Sequence, residues 1–233
     1  MTTLAASNYE HIFLSSTKQW LMTELLLVDN EPDPEMRFHP RAIADQLPDA
    51  DHHWFVENPD PSIVGDVDGV VLSGSTAGVY ERSHSWVDPG FEVIDRCVDR
   101  GVPLLGICFG HQLINTAFGG TVEERTLRAG FVEWSYDDNP LFEDISDHVP
   151  VYHGDYVVER GEGMEIIGRA PYYEAFATAH TEHPIWSVQF HPEFRAQELA
   201  EIDEWSDNGF SAEGDRSAVV LENFVEICEK RAT

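Results

Sequence analysis

Lysine is almost missing from this chain. Only Lys18 and Lys230 occur among 233 residues, and basic residues together number 14 against 43 acidic ones. A formal charge of −29 repels nucleic-acid phosphates and anionic lipid surfaces, so neither is expected as a partner. Cysteine is scarce too: Cys97, Cys108 and Cys228 form no C-x-x-C pair and leave an odd thiol. That argues against a disulfide framework and for a reducing, cytoplasmic setting. No apolar run approaches the ~20 residues that cross a bilayer. The N-terminal segment shows no basic stretch followed by an apolar one, so no secretory signal is expected.

What the chain does have is acid, spread along its whole length. Scattered acids suit adaptation to molar salt, where the Debye length falls to about 3 Å and self-repulsion becomes tolerable. Hydrophobic residues make up 42% and aromatics 11%, enough to bury a core and to exclude a disordered chain.

The hydrophobic pattern reads as strands alternating with helices. Buried-type strand runs stand at Leu25–Val28, Val67–Leu72 and Val102–Ile107, with a weaker one at Asp51–Val56. Helical patterns follow at 41–47, at 89–100 with Phe91, Ile94 and Val98 inward, and at 109–118 before Gly119-Gly120. Such spacing predicts an α/β fold, a mostly parallel central sheet flanked by helices. From Thr121 to Phe190 shorter runs follow (FVEWSY, VPVYHGDYVVE, MEIIGRA, YEAFAT, IWSVQF), which predict a small added sheet. A last helix is expected over 215–229 with Leu221, Phe224, Val225 and Cys228 inward. Residues 1–23 read as an N-terminal extension and 24–233 as a single domain that includes the C-terminal helices.

Chemistry is concentrated in PLLGICFGHQLINTAFGG, residues 103–120. Cys108 sits between a strand and a helix with glycine two residues to either side, the G-x-C-x-G form of a nucleophile elbow. The helix N-terminus behind the sulfur favours its anionic form, and the Phe109 N–H is placed to serve as an oxyanion donor. A thiol nucleophile needs a base and the base an orienting group. SVQFHPEF, residues 187–194, offers both: His191 and Glu193 emerge at the C-terminal end of a strand, where open α/β sheets bind ligands.

GICFGHQ and QFHPEF together closely resemble the class I (triad-type) glutamine amidotransferase family. VLSGSTAGVYE, residues 71–81, resembles that family's oxyanion loop. VYHGDYV, residues 151–157, resembles a segment seen in GMP-synthase-type amidotransferase units. The resemblance covers about residues 24–195. It implies a flavodoxin-like amidotransferase fold without a cofactor. It also implies glutamine hydrolysis through a Cys108 γ-glutamyl thioester, with His191 as base and then acid and Glu193 holding the imidazole. It assigns Gln112, Tyr152 and His153 to substrate binding, and Gly74 or Ser75 to the second oxyanion N–H. Ser75 and Thr76 stand where the family usually has a second glycine and then proline.

A partner synthetase such as a GMP-synthase-type enzyme is one expected recipient of the ammonia. Free-standing relatives leave open hydrolysis of other γ-glutamyl peptides or amides, or a non-catalytic regulatory module on the same fold. Other motifs carry less. SGSTAG lacks the lysine of a phosphate loop. The pairs His52-His53 and His180/His183 lack cysteine or carboxylate partners at ligand spacing, so no metal site is expected. Cys97 and Cys228 read as core.

Overall fold

The computed structural model describes residues 23–47 and 49–232, so most of the expected N-terminal extension lies outside the described residues. Ten strands follow in chain order: β1 (Leu25–Asp29), β2 (Asp51–Trp54), β3 (Gly69–Leu72), β4 (Leu104–Ile107), β5 (Thr121–Glu133), β6 (Ser135–Tyr136), β7 (His148–Glu159), β8 (Met164–Ala170), β9 (Tyr173–His180) and β10 (Ile185–Val188). The helices are α1 (Phe38–Ala44), α2 (Val87–Arg100), α3 (Phe109–Ala117), α4 (Ala196–Leu199) and α5 (Val219–Ala232).

Eight strands form one sheet in the order β2-β1-β3-β4-β10-β9-β8-β6. The first five are mutually parallel and the last three are added antiparallel. The expected mostly parallel α/β sheet with helices is therefore present. β5 and β7 pair antiparallel as a separate two-stranded sheet.

The continuous apolar runs have a simple cause. Side chains alternate across a strand, and here both faces are covered. Leu25, Leu27, Val71, Leu105 and Ile107 point into one core with Ile43 of α1 and Val220, Leu221, Phe224, Val225 and Cys228 of α5. Leu26, Val28, Val70, Leu72 and Leu104 point into the other, with Val93, Ile94 and Cys97 of α2 and Phe109, Leu113 and Ile114 of α3. Cutting back one such buried phenylalanine, Phe224 for instance, would cost roughly 3–5 kcal/mol.

Three elements depart from the sequence expectation. The inner face of α2 centres on Val87, Val93, Ile94 and Cys97, with Phe91 and Val98 packed against the same core at its half-buried margin. FVEWSY is not one strand: residues 131–133 end β5 in the small sheet, and Ser135–Tyr136 joins the large one. Trp134 makes the crossing, buried against Phe142, Phe176 and Phe190 with its indole N–H on Ser146 O at 3.0 Å. The last helix begins at Val219 instead of 215. Asp215 takes the backbone N–H and hydroxyl of Ser217, both at 2.8 Å, and this local turn competes with helix.

Candidate active site

The chain runs from β1 to β2 on one side and resumes with β3 on the other side of β1. Open α/β sheets bind ligands beyond the strand ends at such a reversal. Here the segments after β1, β3, β4 and β10 converge there, with β7 as a further wall. They enclose a cavity of about 440 Å³ lined by Cys108, His191, Gln112, Tyr152, His39 and Thr76 among others.

Strand β4 ends at Ile107 and α3 begins at Phe109, leaving one residue to turn the chain. Cys108 does this at φ 51° and ψ −102°, a left-handed φ that is costly for a residue with a Cβ. The turn needs its two glycines. A Cβ on Gly106 would lie 2.5 Å from the Gly110 carbonyl group, and one on Gly110 would lie 2.6 Å from Leu72 O. The Cys108 N–H donates to Val188 O at 2.9 Å, which locks the elbow to β10. Phe109 opens α3, where the helix offers its N–H no carbonyl four residues back.

From the end of β10 the chain brings His191 over the sulfur. Its N–H donates to Pro150 O at 2.9 Å, and its ring stacks on Phe194 at 4.3 Å. Nδ1 and Glu193 Oε1 are 2.8 Å apart, with the carboxylate fully buried. Nε2 lies 3.3 Å from Tyr152 O, the same carbonyl that Cys108 Sγ approaches at 3.8 Å, so the imidazole and the sulfur meet at one backbone oxygen. Burial alone would lower the His191 pKa. The Glu193 charge, the Cys108 sulfur and the hydrogen bonds to both outweigh it and raise the value to about 10.

The expected residues thus stand together. Gly74 lies so close that a Cβ there would come within 3.1 Å of His191 Cε1 and 3.6 Å of Cys108 Cβ. The Ser75 hydroxyl accepts the Ala77 N–H at 3.1 Å. Gln112 lines the cavity and donates Nε2 to Asp155 O and Gln189 Oε1, each at 3.3 Å. His153 lines it as well, but both ring nitrogens are engaged, Nδ1 with Asp155 O at 3.0 Å and Nε2 with Tyr172 OH at 3.1 Å. Burial lowers its pKa to about 3, so the ring is a neutral part of the wall.

Sequence reasoning missed four buried contributors. Gln189 donates Nε2 to Cys108 Sγ at 3.4 Å, and Tyr173 OH donates to Gln189 Oε1 at 3.3 Å. Glu31 and His39 form a second carboxylate–imidazole pair at 2.9 Å beside the first. Only Gln189 carried a signal, its spacing of two from His191. The other three reach the site through contacts remote in sequence. Among the described residues no group of three or more His, Cys, Asp or Glu side chains is placed to hold a metal ion.

The sequence pattern of the family described as Glutamine amidotransferase class-I matches residues 43–202. A glutamine-hydrolyzing GMP synthase of Macrococcus caseolyticus is 34% identical over 133 residues, covering 56% of this chain and 25% of that protein. The protein of the same name from Staphylococcus aureus is 33% identical over 165 residues, covering 68% of this chain and 30% of the other. The chain thus spans about a quarter to a third of the length of these relatives. A glutamine amidotransferase structure from Thermotoga maritima superposes with a TM-score of 0.67 at 19% identity, covering 90% of this chain and 97% of that one. That likeness shows the fold.

Proposed function

The chain belongs to the class I glutamine amidotransferase family, and on that premise we infer that it hydrolyses the side-chain amide of glutamine through a thioester on Cys108. The observation that carries this reading is the elbow cysteine at φ 51° facing an imidazole held at 2.8 Å by a buried carboxylate.

His191, which its surroundings favour as imidazolium, has already taken the thiol proton when Sγ attacks the amide carbon. Negative charge gathers on the amide oxygen, and in this reading the N–H of Phe109 and that of Gly74 or Ser75 receive it. Such donors aimed at developing charge contribute about 10²–10³ in kcat each. His191 then gives its proton to the amide nitrogen, the C–N bond breaks and ammonia leaves. Water, deprotonated by His191, attacks the thioester, the C–S bond breaks, and glutamate departs with the thiol restored. Glu193 holds the imidazole in orientation throughout. Gln112 and the Tyr152–His153 segment bind the amino-acid end of the substrate. In this reading ammonia then passes to a partner synthetase such as a GMP-synthase-type enzyme, the activity for which the relatives are named.

The test is to purify the chain in molar KCl and measure ammonia and glutamate from glutamine. Equal release of both that disappears in Cys108→Ala is expected. Equal release by Cys108→Ala and the parent would sink the mechanism.

A further inference from the structure

Glu31 follows β1 and takes no part in the Cys108–His191–Glu193 trio. It is 0% exposed, and all four acceptor positions of its carboxylate are filled. Oε1 accepts the Thr76 hydroxyl at 2.7 Å and the Asp33 N–H at 2.7 Å. Oε2 accepts the Thr76 N–H at 2.8 Å and pairs with His39 Nε2 at 2.9 Å. One carboxylate therefore grips Thr76 by both its main chain and its side chain.

Thr76 immediately follows Gly74 and Ser75, the segment that faces the nucleophile. The same end of β1 holds the segment's start. The Asn30 N–H donates to Ser73 Oγ at 2.9 Å, and that hydroxyl donates to Gly74 O at 2.8 Å. His39 closes the arrangement from α1, with its ring 6.0 Å from that of His191. Glu31 and His39 are buried while Thr76 itself is exposed, so the cost of a lost partner falls on the carboxylate, which has no water to replace it.

We propose that Glu31, oriented by His39, is a positioning residue for the Cys108 reaction: by clamping Thr76 it holds Gly74 and Ser75 in place against Cys108 and His191. This rests on the glutamine-hydrolysis reading. A clamp that aims N–H groups at the transition state acts on kcat rather than on substrate affinity.

Glu31→Gln tests it with little change in volume. Whichever way the amide turns, its NH₂ meets a backbone N–H, that of Asp33 or that of Thr76. Steady-state glutamine hydrolysis should show kcat down about 10- to 100-fold with KM within about threefold. Thr76→Ser, which keeps the N–H and hydroxyl, should retain near-parent kcat, whereas Thr76→Val should lose several-fold. The Glu31→Gln, Thr76→Val double variant should lose little beyond Glu31→Gln alone, because both changes break one clamp. Losses that multiply in full, or a Glu31→Gln variant with parent kcat beside an active, Cys108-dependent parent, overturn the clamp and leave the hydrolysis reading standing. A parent without Cys108-dependent ammonia release overturns both. If Glu31→Gln does not fold by circular dichroism, the Thr76 pair decides: equal kcat for Thr76→Val and Thr76→Ser refutes the clamp.

Discussion

His39 and His191 stand edge to face, their ring centroids 6.0 Å apart at 77°, and a side chain on Gly74 would touch the Cε1 of each. Each ring is tied to its own buried carboxylate, Glu31 and Glu193, at 2.9 and 2.8 Å. The backbone of the loop after β3 therefore has a fixed place between two held imidazoles.

Gly74→Ala tests that crowding. Its Cβ would sit 3.1 Å from His191 Cε1 and 3.4 Å from His39 Cε1, so the ring or the loop must shift by a few tenths of an ångström. Misplacement on this scale costs catalysis well before it costs folding. We expect kcat for glutamine hydrolysis to fall at least about tenfold, with a melting temperature close to the parent's. Unchanged kinetics would show that the loop has room to spare.

Glu193→Gln separates orientation from nucleophilic attack. Its kcat/KM should fall by less than the loss in Cys108→Ala, since an orienting group contributes less than the nucleophile. It should also alter the response of stability to pH. His191 is raised to about 10 in the fold, from about 6.5 in the unfolded chain. Its contribution is thus fully present below about pH 6.5 and is lost as pH climbs through about 10. Without the Glu193 charge that alkaline loss should shrink. Urea unfolding of both proteins at pH 7 and 9.5 measures it, and parallel losses would count against the assignment.

His111 makes the opposite prediction at acid pH. It is fully buried between Ser187 Oγ at 2.8 Å and Tyr173 OH at 3.1 Å, and burial lowers its pKa to about 3. The unfolded chain binds that proton first, so the contribution is present above about pH 6.5 and is lost as pH falls toward 3. His111→Gln should reduce the slope of unfolding free energy against pH by about 1.4 kcal/mol per unit between pH 6 and 4. An unchanged slope would mean that the imidazole is already charged in the fold.

The surplus of 43 acidic over 14 basic residues predicts a salt requirement. Raising KCl from about 0.1 to 2 M shortens the Debye length from about 10 Å to below 3 Å and relieves the self-repulsion. The melting temperature should rise markedly over that range. A flat or falling curve would remove salt adaptation as the reason for the composition.

Much of the site was legible in the sequence because its chemistry is local. The elbow needs glycine, cysteine and glycine at fixed spacing, since Gly106 and Gly110 must let α3 stack on the sheet. His191 and Glu193, proposed as base and orienting carboxylate, are two residues apart after a strand. The parallel core was legible for a related reason: strands covered on both faces are apolar at every position. The long β5 was not, because most of Thr121–Arg128 is exposed and polar, and its hydrogen bonds to β7 leave no mark on hydrophobic pattern.

Ser75-Thr76 shows the division most clearly. Read along the chain, it is a departure from the glycine-proline of the resembling loop. In three dimensions Thr76 supplies the N–H and hydroxyl that Glu31, 45 residues earlier, accepts. The order of residues determined which atoms can react, because an elbow and a His-x-Glu turn are short-range geometry. Only the tertiary structure decided which buried partners hold them, because hydrogen bonds between distant strand ends exist only once the sheet has brought those ends together.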